Sequence, residues 1–185
     1  MEEVKVALQL EKDGYIYYRK AAELCPNEYG KKMFQKLAED EIRHLETFRK
    51  IAKEIFDKIE EGEAEHLDIF EKIDFSTKAG EYAALDHAIK FEERAYKFFK
   101  NAAEKAKSEK VKRLFEAIAK EEEMHKELLE AERGICRNLV YGLTIRNLKW
   151  TDYERSPQVQ CISWITSYNS LSPSPVFAEI SNGLV

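Results

Sequence analysis

The sequence predicts an all-α protein: a four-helix bundle made of two helical hairpins joined by a long crossover, followed by a C-terminal appendage of unassigned fold. Three observations carry this prediction. Helix formers dominate the first two thirds of the chain, with charged residues at 35% and only 7 glycines among 185 residues. Four segments there place apolar residues at helical spacing. The connections between them run short, long, short, as two antiparallel hairpins and one crossover require.

The first helix is expected from about Glu3 to Leu24, with Val4, Leu8, Tyr15, Tyr18 and Ala22 on one face. Pro26 cannot continue it, and Asn27 is suited to N-cap the second helix. That helix is expected from about Glu28 to Glu60, ending near Gly62, with an apolar stripe through Phe34, Leu37, Phe48, Ile51 and Ile55. Residues 62–79 form the crossover. The third helix is expected from about Gly80 to Ala106. Ser108 is placed to cap a fourth, ending at Gly134. Residues 1–134 thus read as one domain and 135–185 as a tail. The composition changes there: residues 138–185 hold six charged residues, both tryptophans and three of the four prolines.

Several function classes are disfavoured. A net charge of −5 argues against general nucleic-acid binding. No apolar run reaches the roughly 18 residues that span a bilayer, and the N-terminus does not read as a signal peptide. Cys25, Cys136 and Cys161 make no C-x-x-C pair. The expectation is a reduced, cytoplasmic protein.

The two hairpins repeat each other. "LQLEKDGYIYYRKAAE" aligns with "IKFEERAYKFFKNAAE", and "FQKLAEDEIRH" with "FEAIAKEEEMH". Glu11, Glu41 and His44 each have a partner 81 residues downstream: Glu92, Glu122 and His125. Residues i and i+3 share a helix face, so each Glu-x-x-His points its two side chains the same way. All six fall on the apolar stripes. One Glu-x-x-His in a Glu-rich chain is an ordinary coincidence, and a lone inward Glu or His is usually a core residue with a hydrogen bond. Neither explains two copies with a matched glutamate at the same separation upstream.

Four ionised carboxylates in one apolar interior need cations. Two divalent metals would neutralise them, and carboxylate oxygen with imidazole nitrogen favours Fe or Mn over thiolate-bound metals. Zn is a further substitute. Asp40 and Glu121 directly precede the Glu-x-x-His pairs and are candidates to accept the second imidazole N–H. Tyr18 shares the face of Glu11 and is a candidate to hydrogen-bond a ligand carboxylate or donate an electron. Tyr15, Tyr17, Tyr96 and Phe98 read as packing or interface aromatics. His66 and His87 have no partner at ligand spacing, and Cys25 reads as an inert thiol.

The paired E…ExxH repeat resembles the ferritin-like di-iron carboxylate superfamily, most closely its rubrerythrin-like branch, over about residues 1–134. The resemblance implies a ferritin-like bundle with two Fe ions. Glu41 and Glu122 would lie closest to both metals, with Glu11 and His44 completing one site and Glu92 and His125 the other. It also implies reduction of H2O2 or O2, in defence against oxidative stress, with ferroxidase or iron-storage activity as the alternative. A non-enzymatic, metal-stabilised binding module is a third reading. Two departures stand out. Only Cys136 and Cys161 follow the bundle, so the four-cysteine rubredoxin site of the family is missing. Electrons are therefore expected from an external donor, such as a rubredoxin-like protein or a reductase. The extra glutamate of rubrerythrins, one turn after the third-helix ligand, is here Ala95, and its repeat mate is Gly14. A homo-oligomer, dimer or larger, is expected.

Overall fold

The computed structural model describes residues 2–55 and 72–140. Four helices account for nearly all of them: α1 (Glu2–Leu24), α2 (Glu28–Ile55), α3 (Lys78–Lys105) and α4 (Glu109–Val140). Helix α1 packs along α2 and α3 along α4, and the two hairpins close on each other as a ferritin-like four-helix bundle. The expected crossover falls largely outside the described residues, as do the last turn of the expected second helix and the tail from residue 141 onward.

Local chemistry sets the helix starts. The Asn27 side-chain oxygen accepts from the backbone N–H groups of Tyr29 (2.9 Å) and Gly30 (3.4 Å), filling the N-cap role expected of it. Helix α3 starts two residues earlier than expected because Thr77, not a residue at Gly80, is the cap: its hydroxyl accepts from Gly80 N at 3.1 Å. At Gly80 the backbone carbonyl of Asp74 occupies the place a Cβ would need, so the turn into α3 requires glycine. Ser108 directly precedes α4, and its carbonyl accepts from Lys112 N at 2.9 Å.

One boundary differs substantially. Helix α4 runs through Gly134 to Val140 instead of ending there. Glycine stops a helix when the chain turns at a left-handed residue. Within a helix it costs only about 1 kcal/mol relative to alanine. The following "ICRNLV" offers neither a proline nor a turn signal.

The interior has two apolar clusters. One contains Tyr17, Tyr18, Phe34, Leu37, Phe75, Leu85 and Leu128. The other contains Leu8, Leu45, Phe48, Phe99, Phe115 and Ile118. Along every helix the two sets are separated by about two turns, and in that gap sit the six polar residues singled out by the repeat. Phe48 is the hub of the second cluster, with its ring centroid 5.8 Å from Phe99 and 5.7 Å from Phe115. It is fully buried. Phe48→Ala is expected to lower the unfolding free energy by about 3–5 kcal/mol, measured by urea titration of the metal-free protein. A loss under ~1 kcal/mol would contradict the packing described.

The α1 stripe is wider than a single face. Tyr17, read as a packing or interface aromatic and not placed on the stripe, is 1% exposed, while Tyr15, placed on the stripe, is only partly buried. Helix α1 lies against both α2 and α3. A helix with two neighbours buries a broader arc than the narrow i, i+3, i+4 stripe.

Candidate metal centre

Glu11 comes from α1, Glu41 and His44 from α2, Glu92 from α3, and Glu122 and His125 from α4. None is more than 1% exposed. All six expected residues therefore meet in the bundle interior, between the two apolar clusters.

They form two overlapping groups, in each of which one donor atom per residue lies within 4.8 Å of the others. The first is Glu11, Glu41, His44 and Glu122. The second is Glu41, Glu92, Glu122 and His125. Glu41 and Glu122 belong to both. Glu122 turns one oxygen toward each imidazole, Oε1 at 3.2 Å from His44 Nδ1 and Oε2 at 3.1 Å from His125 Nδ1. His44 Nδ1 also lies 3.1 Å from Glu11 Oε2, and His125 Nδ1 lies 3.4 Å from Glu41 Oε1. The two rings are nearly parallel, 18° apart, with centroids separated by 6.0 Å.

Helix α1 makes room for this arrangement with a glycine. A Cβ at Gly14 would stand 2.6 Å from Glu41 Oε2 and 3.1 Å from the Phe91 ring. The space at this repeat position is thus taken by the Glu41 carboxylate itself. Its mate Ala95 is buried in the second apolar cluster. Neither position brings a further carboxylate to the centre.

The donor set fits divalent cations. Each of the four glutamates keeps one buried oxygen without a hydrogen bond: Glu11 Oε1, Glu41 Oε1, Glu92 Oε2 and Glu122 Oε1. A buried, unsatisfied polar atom costs about 1–3 kcal/mol, and more if charged. Protonation responds in the way burial dictates. Burial pushes the Glu11 carboxyl well above the usual range, with Glu41 and Glu122 adding to the rise against the pull of His44. Burial likewise raises Glu92 and Glu41, with Glu122 the next contributor in both. For Glu122 burial is outweighed by the two adjacent imidazoles, His125 and His44, so its carboxyl is held low. Burial opposes a charge on His44, but Glu11, Glu121 and Glu122 overcome it and hold its pKa well above the ordinary imidazole range. Protons on the centre thus offset negative charge that metal ions would otherwise offset.

Behind the imidazoles the hairpins exchange partners. His44 on α2 meets Glu121 of α4 through Nε2, 3.1 Å from Oε2. His125 on α4 faces Asp40 of α2, Nε2 to Oδ2 at 3.6 Å. Asp40 and Glu121 therefore stand at the far sides of the histidines, as expected of them, but each serves the histidine of the other hairpin. Arg43 ties the two together: one guanidinium nitrogen donates to Asp40 Oδ1 (2.8 Å) and to Glu121 Oε2 (2.6 Å). Lys36 donates to the same Asp40 oxygen at 2.9 Å. With the imidazoles, these cations hold both carboxyls below their usual range despite burial. Arg43 escapes the repeat because its mate is Met124. A basic residue three positions after Asp40 is the signal that would have found it. Tyr18 is fully buried and donates its hydroxyl to Glu92 Oε1.

Glu121→Ala removes the acceptor of His44 Nε2 and one partner of Arg43. Losing such a partner is expected to weaken metal binding about 10–100-fold, measured by competition with a chromophoric chelator. An unchanged affinity would leave Glu121 without a role at the site.

The model for the family described as Rubrerythrin matches residues 2–133. The chain belongs to the rubrerythrin family. The match spans α1, α2, α3 and α4 as far as Arg133, and includes every inward glutamate and histidine named above. Neither the curated proteins nor the solved structures yielded a match to the chain. Rubrerythrins are ferritin-like di-iron carboxylate proteins, and the buried glutamate–histidine cluster of this member is a place where metal could bind. Among the described residues, no helix is long and apolar enough to cross a membrane.

Proposed function

We propose that this rubrerythrin is a non-haem di-iron oxidoreductase that reduces H2O2 or O2 with electrons from an external donor. The observation that carries the reading is the sharing of Glu41 and Glu122 between two buried donor groups, which suits two metals held side by side. Glu11 and His44 would complete one position, and Glu92 and His125 the other. Two iron ions bound there would supply the pair of electrons that converts peroxide to water. The protein's own contribution is to hold the carboxylates in place and keep bulk water out. Glu121 orients His44 by accepting at Nε2, and Asp40 faces Nε2 of His125 at 3.6 Å, so both rings turn Nδ1 toward the centre. Tyr18 holds Glu92 by its hydroxyl. The donor is a separate redox protein or reductase, and the protein works in the cytoplasm as a homo-oligomer.

The test is anaerobic loading with Fe(II), followed by one equivalent of H2O2 and a measurement of peroxide remaining. The protein is expected to consume peroxide well above the buffer rate, and Glu41→Ala is expected to return it to that rate. Consumption no faster than buffer defeats the reading. Release of mobile Fe(III) from a large shell, seen by size-exclusion chromatography, would move the assignment to iron handling.

A further inference from the structure

The carboxylates behind the two imidazoles are repeat mates, but the cations that hold them are not. Asp40 and Glu121 are 81 residues apart, as are His44 and His125. At the same offset from Lys36 and Arg43 stand Ala117 and Met124. The two-fold plan of the bundle therefore gives each histidine an acid, while these two basic residues occur on α2 and not at the matching places on α4.

The two cations do not divide evenly. Arg43 serves both carboxylates from one nitrogen, 2.8 Å from Asp40 Oδ1 and 2.6 Å from Glu121 Oε2, so it does not set one metal position against the other. Lys36 does. Its ammonium lies 2.9 Å from Asp40 Oδ1, one turn away on the same helix. Asp40 thus carries two cations on one oxygen and turns the other toward His125 Nε2 at 3.6 Å, beyond an ordinary hydrogen bond. Glu121 meets His44 Nε2 at 3.1 Å. Asp40 is buried, so water screens its ion pairs little.

Two effects of the same sign follow. A carboxylate that accepts from an imidazole N–H makes the opposite ring nitrogen a stronger metal donor. Asp40, polarised by Lys36 and farther away, does this less for His125 than Glu121 does for His44. The ammonium, held against the carboxylate that faces His125, also repels a cation bound there. The remaining donors match, because each group has three glutamates and one histidine. Only Tyr18 adds a smaller bias, in the same direction: its hydroxyl draws on Glu92, and its mate Phe99 has none to offer Glu11.

We propose that Lys36 is a positioning residue that makes the two metal positions unequal. By drawing Asp40 off His125, it leaves the ion beside Glu92 and His125 more weakly held than the ion beside Glu11 and His44. The weaker position fills second and empties first. This rests on the two-metal reading above and is independent of which oxidant is used.

Co(II) is the probe, because its d–d bands report each ion bound and a chromophoric chelator can compete for it. Glu92→Ala keeps the full donor set only around His44, and Glu11→Ala only around His125. The Kd for Co(II) is expected to be at least about tenfold lower in Glu92→Ala than in Glu11→Ala. Adding Lys36→Ala, which installs the residue of the repeat mate, should tighten binding in Glu11→Ala about threefold or more and leave Glu92→Ala unchanged. Lys36→Arg keeps the charge and should keep the gap. Damage to the fold would weaken both positions, so tightening of one alone separates positioning from packing. A second measurement needs no ligand variant. In the unaltered chain the first equivalent of Co(II) should bring up the paramagnetically shifted proton resonances of one imidazole and the second equivalent those of the other, whereas in Lys36→Ala the two sets should overlap in the titration. Equal Kd values in the two single-site variants, or simultaneous filling of the unaltered chain, overturns the inequality and leaves the two-metal centre standing. A gap that Lys36→Ala does not narrow overturns the role of Lys36. An unaltered chain that binds no Co(II) overturns both this inference and the two-metal reading.

Discussion

Glu41→Ala is expected to empty both metal positions, whereas Glu11→Ala empties one. The difference follows from membership of the two donor groups. Glu11 belongs only to the group around His44, and Glu92 only to the group around His125, while Glu41 and Glu122 belong to both. Removing a shared carboxylate takes a donor from each position and also leaves the remaining charges unbalanced against two cations. Metal analysis after anaerobic reconstitution should give about two ions per chain for the unaltered protein, about one for Glu11→Ala or Glu92→Ala, and close to none for Glu41→Ala or Glu122→Ala. Glu41→Ala also opens space beside Gly14, where the lost carboxylate lies 2.6 Å from a notional Cβ. A Gly14→Ala, Glu41→Ala double variant fills part of that space, and should restore packing but not metal. A single variant at Glu41 that still binds two ions would show that the shared position is not required.

The repeat makes the centre legible in the amino-acid sequence alone. A glutamate on an apolar face is ambiguous once, but the same glutamate with the same Glu-x-x-His at a fixed offset is constrained by two-fold geometry. Glu11, Glu41, His44, Glu92, Glu122 and His125 meet as expected for that reason. What escapes the sequence depends on contacts between hairpins. Asp40 and Glu121 can be named from adjacency, but their exchange of histidines arises from the way α2 and α4 pack. Arg43 has no repeat mate of its kind, so the symmetry that exposes the ligands conceals it. Tyr17 goes to the core because α1 faces two neighbours, a tertiary fact that periodicity along one helix does not contain. Gly134 fails as a stop because a helix end needs a turn after the glycine, and none is encoded there. His87 lacks a partner at ligand spacing, as the sequence indicates. Its partner is a ring, Tyr17, distant in sequence and stacked on it in space.

Metal should stabilise the bundle more as pH rises. In the metal-free protein Glu11, Glu92 and Glu41 carry carboxyls raised chiefly by burial. The folded state then keeps protons that the unfolded chain releases, so their contribution is fully present below about pH 4.5 and is lost as pH climbs through the raised values. His44 acts in the same direction: its imidazolium is favoured in the fold by Glu11, Glu121 and Glu122, and that contribution fades as pH rises above its unfolded value. Glu122, Asp40 and Glu121 oppose this on the acid side only, since their lowered carboxyls contribute above their unfolded values and lose that contribution on acidification. The metal-free bundle is therefore expected to be most stable in mildly acidic solution and to weaken toward alkaline pH. Cations reverse the trend, because they displace those protons and supply the positive charge themselves. Each proton displaced makes binding more favourable by about 1.4 kcal/mol per pH unit. Thermal melts of chelator-treated and zinc-loaded protein, with zinc chosen to avoid redox chemistry, should show a gap that widens from about pH 5 to pH 8. With free metal at about a thousand times its Kd, one site alone contributes ~4 kcal/mol, or about 10 °C in Tm for a bundle of this size. A gap that stays constant across that range would mean that the centre binds metal without giving up protons, and a gap of zero that it does not bind metal.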